Sequence, residues 1–476
     1  MITKLLITSI AIITTVNGFT ETNCRSASIN LNNRKILFGH DCFLSNIKAT
    51  PILYAVKDQK EDQFTIETKE LLDVMKSKML NGVPHLIVAQ VAPSVRVSIS
   101  EEFDKEPGSL PTGNLVAALK AIGFDLVLDT NTGADFTICE EGTELLERIK
   151  TKIRKSKKED KGISYKPVLP LFTSCCPGWL ALVQKSYPEL IPFISTCKSP
   201  HMMYGALIKE FSVELFNEQP DKVYFCSVMP CVRKRGESDH AAFSHNGIRD
   251  IDNVITTKDL GMILRSKNIN PFDLQPELFD SPFQTDGIGT GAGQLFGATG
   301  GVMEAAVRTV YEIVTGEEMP NIELDVVRGL EGVKEAVIPL TKSTTTNKNE
   351  NNEGNEEPQE IVSINVAVVS GLGNAKKLIK KIANGEVEYD FIEVMACPGG
   401  CIGGGGQPAK GDLGKRMEYI YSLDRSLPRR KSHDNPVVQR MYAEFLDEEF
   451  GSEKAHELLH VEPIYGEETD TRDSND

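Results

Sequence analysis

The sequence predicts an α/β protein of two lobes, each built on a mostly parallel β-sheet flanked by helices. The chain has 476 residues, which is long enough for one large two-lobed domain. Its content of 40% hydrophobic and 25% charged residues is that of a globular protein. Apolar runs of strand length alternate with stretches of helical periodicity, a pattern typical of parallel sheets with crossover helices. The strand-like runs lie near residues 85, 125, 167, 223, 252, 364 and 390.

The predicted elements follow one another in a regular order. The first strand is HLIVAQV, and it is followed by the amphipathic helix NLVAALKAIGF, the strand DLVLDT and the helix ADFTICEEGTELLERI. Further buried strands are VLPLF and VYFCSVMP. Segment 287–308 is a glycine-dense loop that runs into a helix, and it lacks the Lys-Ser/Thr ending of a phosphate-binding loop. The last elements are the strand INVAVVSG, the helix AKKLIKKIANG and the strand YDFIEVMA.

The first 52 residues are predicted to be a targeting segment. Lys4 precedes the apolar run LLITSIAIITTV, which is too short to span a bilayer, so residues 1–18 are interpreted as a signal peptide. An ordinary buried strand or helix is the alternative. Residues 19–52 are rich in Ser, Asn and Thr and resemble a transit peptide. Together they are similar to the bipartite plastid presequence of algae with secondary plastids, with a hydrogenosome or mitochondrion as the alternative destination.

Cysteine and glycine concentrate in segment 393–408, which reads EVMACPGGCIGGGGQP. Cys397 and Cys401 follow an apolar strand and lie in a loop where glycines let backbone N–H groups approach a bulky anion. Such cover suits an iron–sulfur cluster, whose sulfides accept hydrogen bonds. A disulfide, or a pair of buried small hydrophobic residues, is the alternative for this motif alone.

Two other segments place a cysteine beside a proline at the end of an apolar run. They are FTSCCPGW (172–179) and SVMPCVRKRGE (227–237). Four thiolates from three loops, Cys176, Cys231, Cys397 and Cys401, are what a [4Fe–4S] cubane requires. The ten cysteines are too few and too irregular for a secreted disulfide scaffold, and thiolate metal chemistry in a reducing compartment fits them better.

These three segments resemble the TSCCPxW, MPCxxKxxE and ExMxCxxGCxxGGGxP motifs of [FeFe]-hydrogenases. The resemblance runs from about His85 to His460 and is greatest to the short algal type, which carries the catalytic domain alone. It implies a catalytic domain over 53–465 with a low-complexity insertion at 341–360, followed by an acidic tail at 466–476. The implied fold is two lobes that hold the cofactor between them.

The resemblance also implies the cofactor and its ligands. The cofactor would be the H-cluster, a [4Fe–4S] cubane on Cys176, Cys231, Cys397 and Cys401, linked through Cys401 to a diiron unit with CO, CN and azadithiolate ligands. The resemblance further implies a shell of residues around the cofactor, namely Ala92, Pro93, Ser94, Pro200, Met229, Lys234, Phe296, Gly297 and Met395. For each of these residues taken singly, the alternative is core packing, a plain turn or, for Lys234, an exposed Lys–Glu pair.

A proton path is implied from Glu144 through Ser195 and Glu141 to Cys175, a free thiol beside the diiron unit. A run of acids on a helix is usually a solvated face, and this interpretation is kept for Glu140. Five other cysteines match no ligand position and are predicted to be core residues. They are Cys24, Cys42, Cys139, Cys197 and Cys226.

The implied reaction is the reversible reduction of protons to H2 with electrons from reduced ferredoxin. Upstream of Cys139 the chain holds only Cys24 and Cys42, from which no relay of further clusters can be built. The basic runs 150–161 and 376–381 are candidate docking sites for an acidic donor, with a solvated surface as the alternative. The implied partners are ferredoxin and the radical-SAM and GTPase maturases, and the enzyme is expected to be a monomer. A net charge of -16 argues against binding to nucleic acid or to a membrane.

Three residues depart from the family pattern. His201 replaces a common glutamine, Ser100 a glycine and Thr290 a serine, and none is expected to touch a cluster ligand or a proton carrier. The competing hypothesis is a non-catalytic hydrogenase-like iron–sulfur protein of cluster assembly or sensing. Assembly relatives typically lack the paired cysteine and the lysine of the middle motif, which are present here as Cys175 and Lys234.

Overall fold

The computed structural model describes residues 63–156, 169–340 and 362–461, all within the compact unit Gln59–Asp476. The predicted signal peptide (1–18), presequence (19–52), insertion (341–360) and acidic tail (466–476) lie outside the described residues. None of the helices in the described part of the chain combines the length and the apolar character that a membrane crossing requires.

The described residues form strands and helices in the alternating order that the sequence predicts. The ten strands are β1 (Leu86–Val91), β2 (Leu126–Asp129), β3 (Leu171–Phe172), β4 (Val223–Met229), β5 (Ser244–His245), β6 (Ile248–Arg249), β7 (Asn253–Thr256), β8 (Val333–Leu340), β9 (Val362–Ser370) and β10 (Phe391–Met395).

The described residues also form fifteen α-helices. They are α1 (Ile66–Asn81), α2 (Pro93–Ser98), α3 (Thr112–Ile122), α4 (Thr130–Ser156), α5 (Pro177–Ser186), α6 (Pro200–Glu210), α7 (Ser212–Phe216), α8 (Arg233–Asp239), α9 (Thr257–Ser266), α10 (Gly291–Leu295), α11 (Gly301–Thr315), α12 (Leu372–Ala383), α13 (Leu413–Ser426), α14 (Pro436–Phe445) and α15 (Glu453–Leu459).

The first lobe contains a parallel sheet of order β2-β1-β4-β7. In its centre Ala89 pairs with Val127 on one side and with Cys226 on the other. Helices cover both faces, so the central strands are apolar at nearly every position rather than at alternate ones. Cys226 and Cys139 are fully buried in this core, as predicted.

The second lobe contains a sheet of order β3-β10-β9-β8. Its strands β3, β10 and β9 are parallel, and β8 is antiparallel to β9. Successive side chains point to opposite faces, so Val366 and Val368 of β9 belong to one core cluster and Ala367 and Val369 to another. The fold prediction of two α/β lobes with mostly parallel sheets is therefore confirmed.

Two strand predictions need correction. Strand β8 was not predicted, because VKEAVIPL mixes charged residues and a proline with its apolar positions, which is the composition of an exposed edge strand. The strand predicted near residue 167 is only the two residues Leu171–Phe172.

A buried charge network joins α11 to the C-terminal part of the chain. The guanidinium of Arg308 is fully buried and donates to both carboxylate oxygens of Asp424, at 2.9 Å each, and to Glu304 Oε1 at 2.6 Å. Its remaining N–H groups reach the carbonyl oxygens of Ile322 and Arg430. Every donor of the fork is satisfied, so the network fixes α13 against α11 at the rear of the glycine-dense loop.

We predict that Arg308→Leu lowers the free energy of unfolding by about 1–3 kcal/mol, because the buried carboxylates of Asp424 and Glu304 each lose one guanidinium partner and keep only those of Arg430 and Arg328. Arg425→Leu is the matched control, since Arg425 is 49% exposed and lies 3.5 Å from Glu323. That control is expected to cost under about 1 kcal/mol. Denaturant unfolding followed by circular dichroism measures both, and equal destabilisation by the two variants would contradict the role given to the network.

Candidate metal centre

A cavity lies where strand ends of both sheets meet. Its wall is formed by the loop after β1, the loops after β3 and β4, and the segment after β10. Ligand sites at the carboxyl ends of strands are typical of open α/β sheets. Its lining residues are Ala92, Pro93, Ser94, Thr130, Ala134, Cys175, Cys176, Pro177, Pro200, His201, Met229, Pro230, Cys231, Lys234, Phe296, Met395, Ala396, Cys397, Gly400, Cys401 and Gly404.

All four predicted ligand cysteines line this cavity. Cys176 immediately precedes α5, and its sulfur accepts a hydrogen bond from Ala396 N at 3.4 Å. Cys231 follows β4, Cys397 follows β10, and Cys401 begins the short 3₁₀ turn Cys401–Gly403. Three separate loops therefore bring four sulfurs to one place, as the sequence motifs predicted.

Burial and the neighbouring thiols disfavour the charged form of these cysteines. Burial raises the pKa of Cys397 to about 11, with smaller contributions from Cys176 and Cys231. Burial raises the pKa of Cys401 well above its usual range, and the other three thiols raise it further. Four thiolates can therefore coexist here only with a cation among them, and iron of a [4Fe–4S] cluster is such a cation.

Two glycines let the loops approach closely. Gly400 has φ +88°, and a Cβ there would lie 2.5 Å from Thr299 N. A Cβ on Gly404 would lie 2.3 Å from the carbonyl oxygen of Pro230, the residue before Cys231. Only glycine fits at these positions, so the segment after β10 can pack directly on the end of β4.

Lys234 points into the site instead of into solvent. Its Nζ donates to the carbonyl oxygen of Cys175 at 3.0 Å and lies 2.6 Å from Glu237 Oε2. His201 holds the same carboxylate through Nε2 at 3.1 Å, and its Nδ1 lies 3.2 Å from Ser227 Oγ. The alternative of an exposed Lys–Glu pair is therefore wrong. No sequence pattern indicated that Glu237 links His201 to Lys234.

The electrostatics of this trio keep the lysine charged. Burial alone would lower the pKa of Lys234, but the carboxylate of Glu237 more than offsets this and raises it. Burial alone would raise the pKa of Glu237, but Lys234 and His201 together lower it to about 2. Burial and the charge of Lys234 lower the pKa of His201. A fixed ammonium thus faces the cavity beside a neutral imidazole.

Most of the predicted shell lines the cavity. Its members Ala92, Pro93, Ser94, Pro200, Met229, Phe296 and Met395 are all in the wall, whereas Gly297 is not and instead accepts a hydrogen bond from Ile402 N at 2.9 Å. Ser94 Oγ is buried and has no hydrogen-bond partner among the described residues. Such an orphaned hydroxyl on a cavity wall fits a bound group that accepts a hydrogen bond. Thr130 and Ala134 also line the cavity, and no sequence motif marked them.

The predicted proton carriers lie behind Cys175. Ser195 Oγ donates to Glu144 Oε2 at 2.7 Å, and Arg148 lies 2.5 Å from Glu144 Oε1. Glu141 is buried, and neither of its carboxylate oxygens has a hydrogen-bond partner among the described residues. Burial and the charge of Glu144 raise the pKa of Glu141 to about 8. Burial and the charge of Glu141 raise the pKa of Cys175 well above its usual range, so Cys175 is a protonated thiol.

The solvated-face prediction for Glu140 is wrong. Its side chain is 1% exposed and accepts hydrogen bonds from the hydroxyl of Tyr442 and from Gly451 N at 3.0 Å. His460 Nε2 lies 2.9 Å from its other oxygen. The C-terminal helices cover this face of α4, and these partners lie 302 to 320 residues away in sequence. No local pattern could reveal them.

Comparison with known proteins agrees with this geometry. Residues 85–405 match the family described as the iron only hydrogenase large subunit, C-terminal domain, and residues 412–462 match the iron hydrogenase small subunit. The NADP-reducing hydrogenase subunit HndD of Solidesulfovibrio fructosivorans is 41% identical over 380 residues, which are 79% of this chain and 60% of that relative.

A solved structure of [FeFe]-hydrogenase HydA1 from Chlamydomonas reinhardtii is 40% identical, with a TM-score of 0.69 over 83% of this chain and 98% of that chain. Cytosolic iron-sulfur assembly component 3 of Bos taurus is more distant, at 29% identity over 79% of this chain and 74% of that protein. The family match covers most of the described residues and includes all four cysteines of the centre. The chain belongs to the iron-only hydrogenase family.

Proposed function

We propose that this chain is an [FeFe]-hydrogenase, which reversibly reduces protons to H2 at an H-cluster with electrons from reduced ferredoxin. The observation that carries the proposal is the grouping of four cysteines around one cavity with a fifth, Cys175, buried beside them as a free thiol. A plain iron–sulfur protein needs four sulfurs, but it has no use for a fifth thiol and an inward-facing lysine.

The residues in the cavity suit the group. Cys176, Cys231, Cys397 and Cys401 would hold its cubane, with Cys401 also tied to the diiron unit. When bound, the H-cluster supplies the metal and electron chemistry that amino-acid side chains lack. Lys234, held by Glu237, would donate a hydrogen bond to the bound group, and Ser94 Oγ is free to do the same.

The protein itself would carry the protons. Glu144 has the most exposed side chain of the proposed carriers, at 14%, and it already accepts the hydroxyl hydrogen of Ser195. Glu141 is a carboxyl group that burial keeps protonated near neutral pH, and Cys175 is a protonated thiol. Each group can therefore hold a proton and pass it on, in the order Glu144, Ser195, Glu141 and Cys175.

Electrons would enter from reduced ferredoxin at the exposed lysines of α12. This helix buries Ala375, Leu378 and Ile379 against the second sheet and exposes Lys376 and Lys380. The competing run 150–161 is less suitable, because Lys150 and Lys152 are ion-paired with acids of the same chain. Residues 157–161 of that run lie outside the described residues.

The alternative is a non-catalytic iron–sulfur protein of cluster assembly or sensing, which the similarity to the bovine assembly component keeps open. Production of the chain together with the radical-SAM and GTPase maturases of the family separates the two functions. We expect H2 evolution from reduced methyl viologen, together with infrared bands of metal-bound carbonyl and cyanide. A fully loaded cofactor without H2 evolution would favour the alternative.

For Cys175 we predict that Cys175→Ala lowers the rate of H2 evolution by about 100-fold or more, because the last proton carrier before the cofactor is lost. The iron content should remain that of the unaltered enzyme, since this sulfur is not a ligand. Cys176→Ala is the matched control and should lose cluster iron. Loss of iron in Cys175→Ala would contradict the role assigned to Cys175.

For Glu141 we predict that its carboxyl group is protonated below pH 8 and ionises as the pH rises through about 8. The rate of proton delivery should therefore fall as the pH rises through about 8, because ionised Glu141 has no proton to pass on. Infrared titration of the protonated carboxyl band measures the midpoint, and the band should be absent in Glu141→Gln. In Glu144→Gln the midpoint should move downward, because a neighbouring negative charge has been removed. A midpoint near pH 4.5 in the unaltered protein would refute the assignment.

For the donor site we predict that Lys376→Glu combined with Lys380→Glu raises the KM for reduced ferredoxin roughly tenfold, because opposite charges no longer steer the encounter. The rate with reduced methyl viologen should stay the same. Lys69→Glu combined with Lys76→Glu is the matched control, since both lysines are exposed on α1, which packs on the other sheet. An equal rise in KM for the two double variants would argue against docking at α12.

A further inference from the structure

A second set of metal-binding side chains lies next to the outer end of the proposed proton path. Glu144, Cys197 and His460 each present one ligand atom, and these three atoms lie within 4.8 Å of one another. His460 Nδ1 is 3.9 Å from Cys197 Sγ. A carboxylate oxygen, a thiolate sulfur and an imidazole nitrogen form the ligand set that Zn²⁺ and similar cations prefer.

The backbone holds two of these ligands side by side. Cys197 and His460 face each other in an isolated antiparallel bridge. Lys198 N donates to the carbonyl oxygen of Leu459, and Val461 N donates to that of Thr196, both at 2.8 Å. The proximity of sulfur and imidazole is therefore built into the main chain and does not depend on a chance side-chain rotamer.

A buried carboxylate orients the imidazole in the way that metal sites require. His460 Nε2 bonds to Glu140 at 2.9 Å, and Glu140 is itself held by Tyr442 and Gly451. A histidine that donates one N–H to a carboxylate presents the lone pair of its other nitrogen to a metal. That nitrogen, Nδ1, faces the cluster and now lies 2.7 Å from Thr196 Oγ1. The Glu140–His460 contact is a second observation in favour of a metal site, separate from the short distances among Glu144, Cys197 and His460.

We propose that Glu144, Cys197 and His460 form a binding site for Zn²⁺ or a similar divalent cation, with water as the fourth ligand, and that occupancy blocks proton transfer at Glu144. The proposed block of proton transfer rests on the proposed function. Glu144 is 14% exposed, so a cation has access from solvent. A carboxylate that coordinates a cation must be deprotonated, so Glu144 could not take up a proton while the cation is bound.

Binding is tested on the purified protein with its four-cysteine centre loaded with iron, so that those thiols do not compete. Cd²⁺ is the optical probe, because its bond to a thiolate gives a new ultraviolet absorption, and zinc-edge X-ray absorption should show one Zn–S distance of about 2.3 Å. We expect one equivalent of either ion to bind. Cys197→Ala should abolish the Cd²⁺ absorption, whereas Cys226→Ala, which removes a buried cysteine of β4, should retain it.

Glu140, the carboxylate that holds His460, provides a separate test. Glu140→Gln should weaken Cd²⁺ binding by about 10- to 100-fold, because the imidazole loses the carboxylate that orients it. His460→Gln should weaken it at least as much, and circular dichroism verifies that both variants are folded. Cd²⁺ binding that is unchanged in folded Cys197→Ala and His460→Gln overturns the site.

The inhibitory effect is measured as H2 evolution from reduced methyl viologen, relative to each variant without added metal. We expect Zn²⁺ to lower the rate of the unaltered enzyme at least tenfold, with recovery on adding a chelator and no loss of iron. Cys197→Ala should be resistant. Binding without inhibition would overturn the block and count against Glu144 as a carrier. If the chain proves to have no hydrogenase activity, the Cd²⁺ titrations still decide whether the site exists.

Discussion

The meeting of four sulfur atoms from three loops is the constraint on which the rest of the structure depends. Cys176 follows β3 of one sheet, Cys231 follows β4 of the other, and Cys397 and Cys401 follow β10. Burial and mutual repulsion raise the pKa values of Cys397 and Cys401, so these thiols stay protonated in the free chain and a bound cationic group is what favours their thiolate form. Binding such a group would also tie the two lobes together, because its ligands come from both.

The buried charged side chains near this centre are stabilised by ion pairs and hydrogen bonds with other side chains instead of by water. The ammonium of Lys234 is kept by Glu237, and Glu237 is in turn held by His201. On the opposite side, Arg308 and Asp424 fix the glycine-dense loop from behind. Buried ion pairs of this kind add little to net stability but leave little freedom in the position of each partner. Such rigidity is useful where a ligand is held by few covalent bonds.

Helix α4 carries three glutamates with two different roles, since two are candidate proton carriers and the third holds His460. Glu141 and Glu144 point towards Cys175 and Ser195, whereas Glu140 is sealed beneath the C-terminal helices and orients His460. These three glutamates, which lie within five residues of α4, therefore include two candidate proton carriers and the support of a candidate cation site. A cation could regulate proton flow without any domain movement, because Glu144 belongs both to the proposed proton path and to the candidate cation site.

Local sequence was sufficient to predict the two-lobed α/β fold and the meeting of four cysteines at one cavity, because strands, turns and cysteine motifs leave patterns within short segments. The proton path was implied by the family resemblance and stays a prediction. Local sequence failed for Glu140, whose charge suggested a solvent-exposed side chain, and for β8, whose mixed composition gave no clear strand pattern. It also could not relate Cys197 to His460 or His201 to Glu237. These outcomes depend on which distant segments cover a residue, and burial alone decides whether a carboxylate or an imidazole is a solvated surface group or part of a site. Only the tertiary structure decides burial, because it is a property of the packed chain and not of any segment.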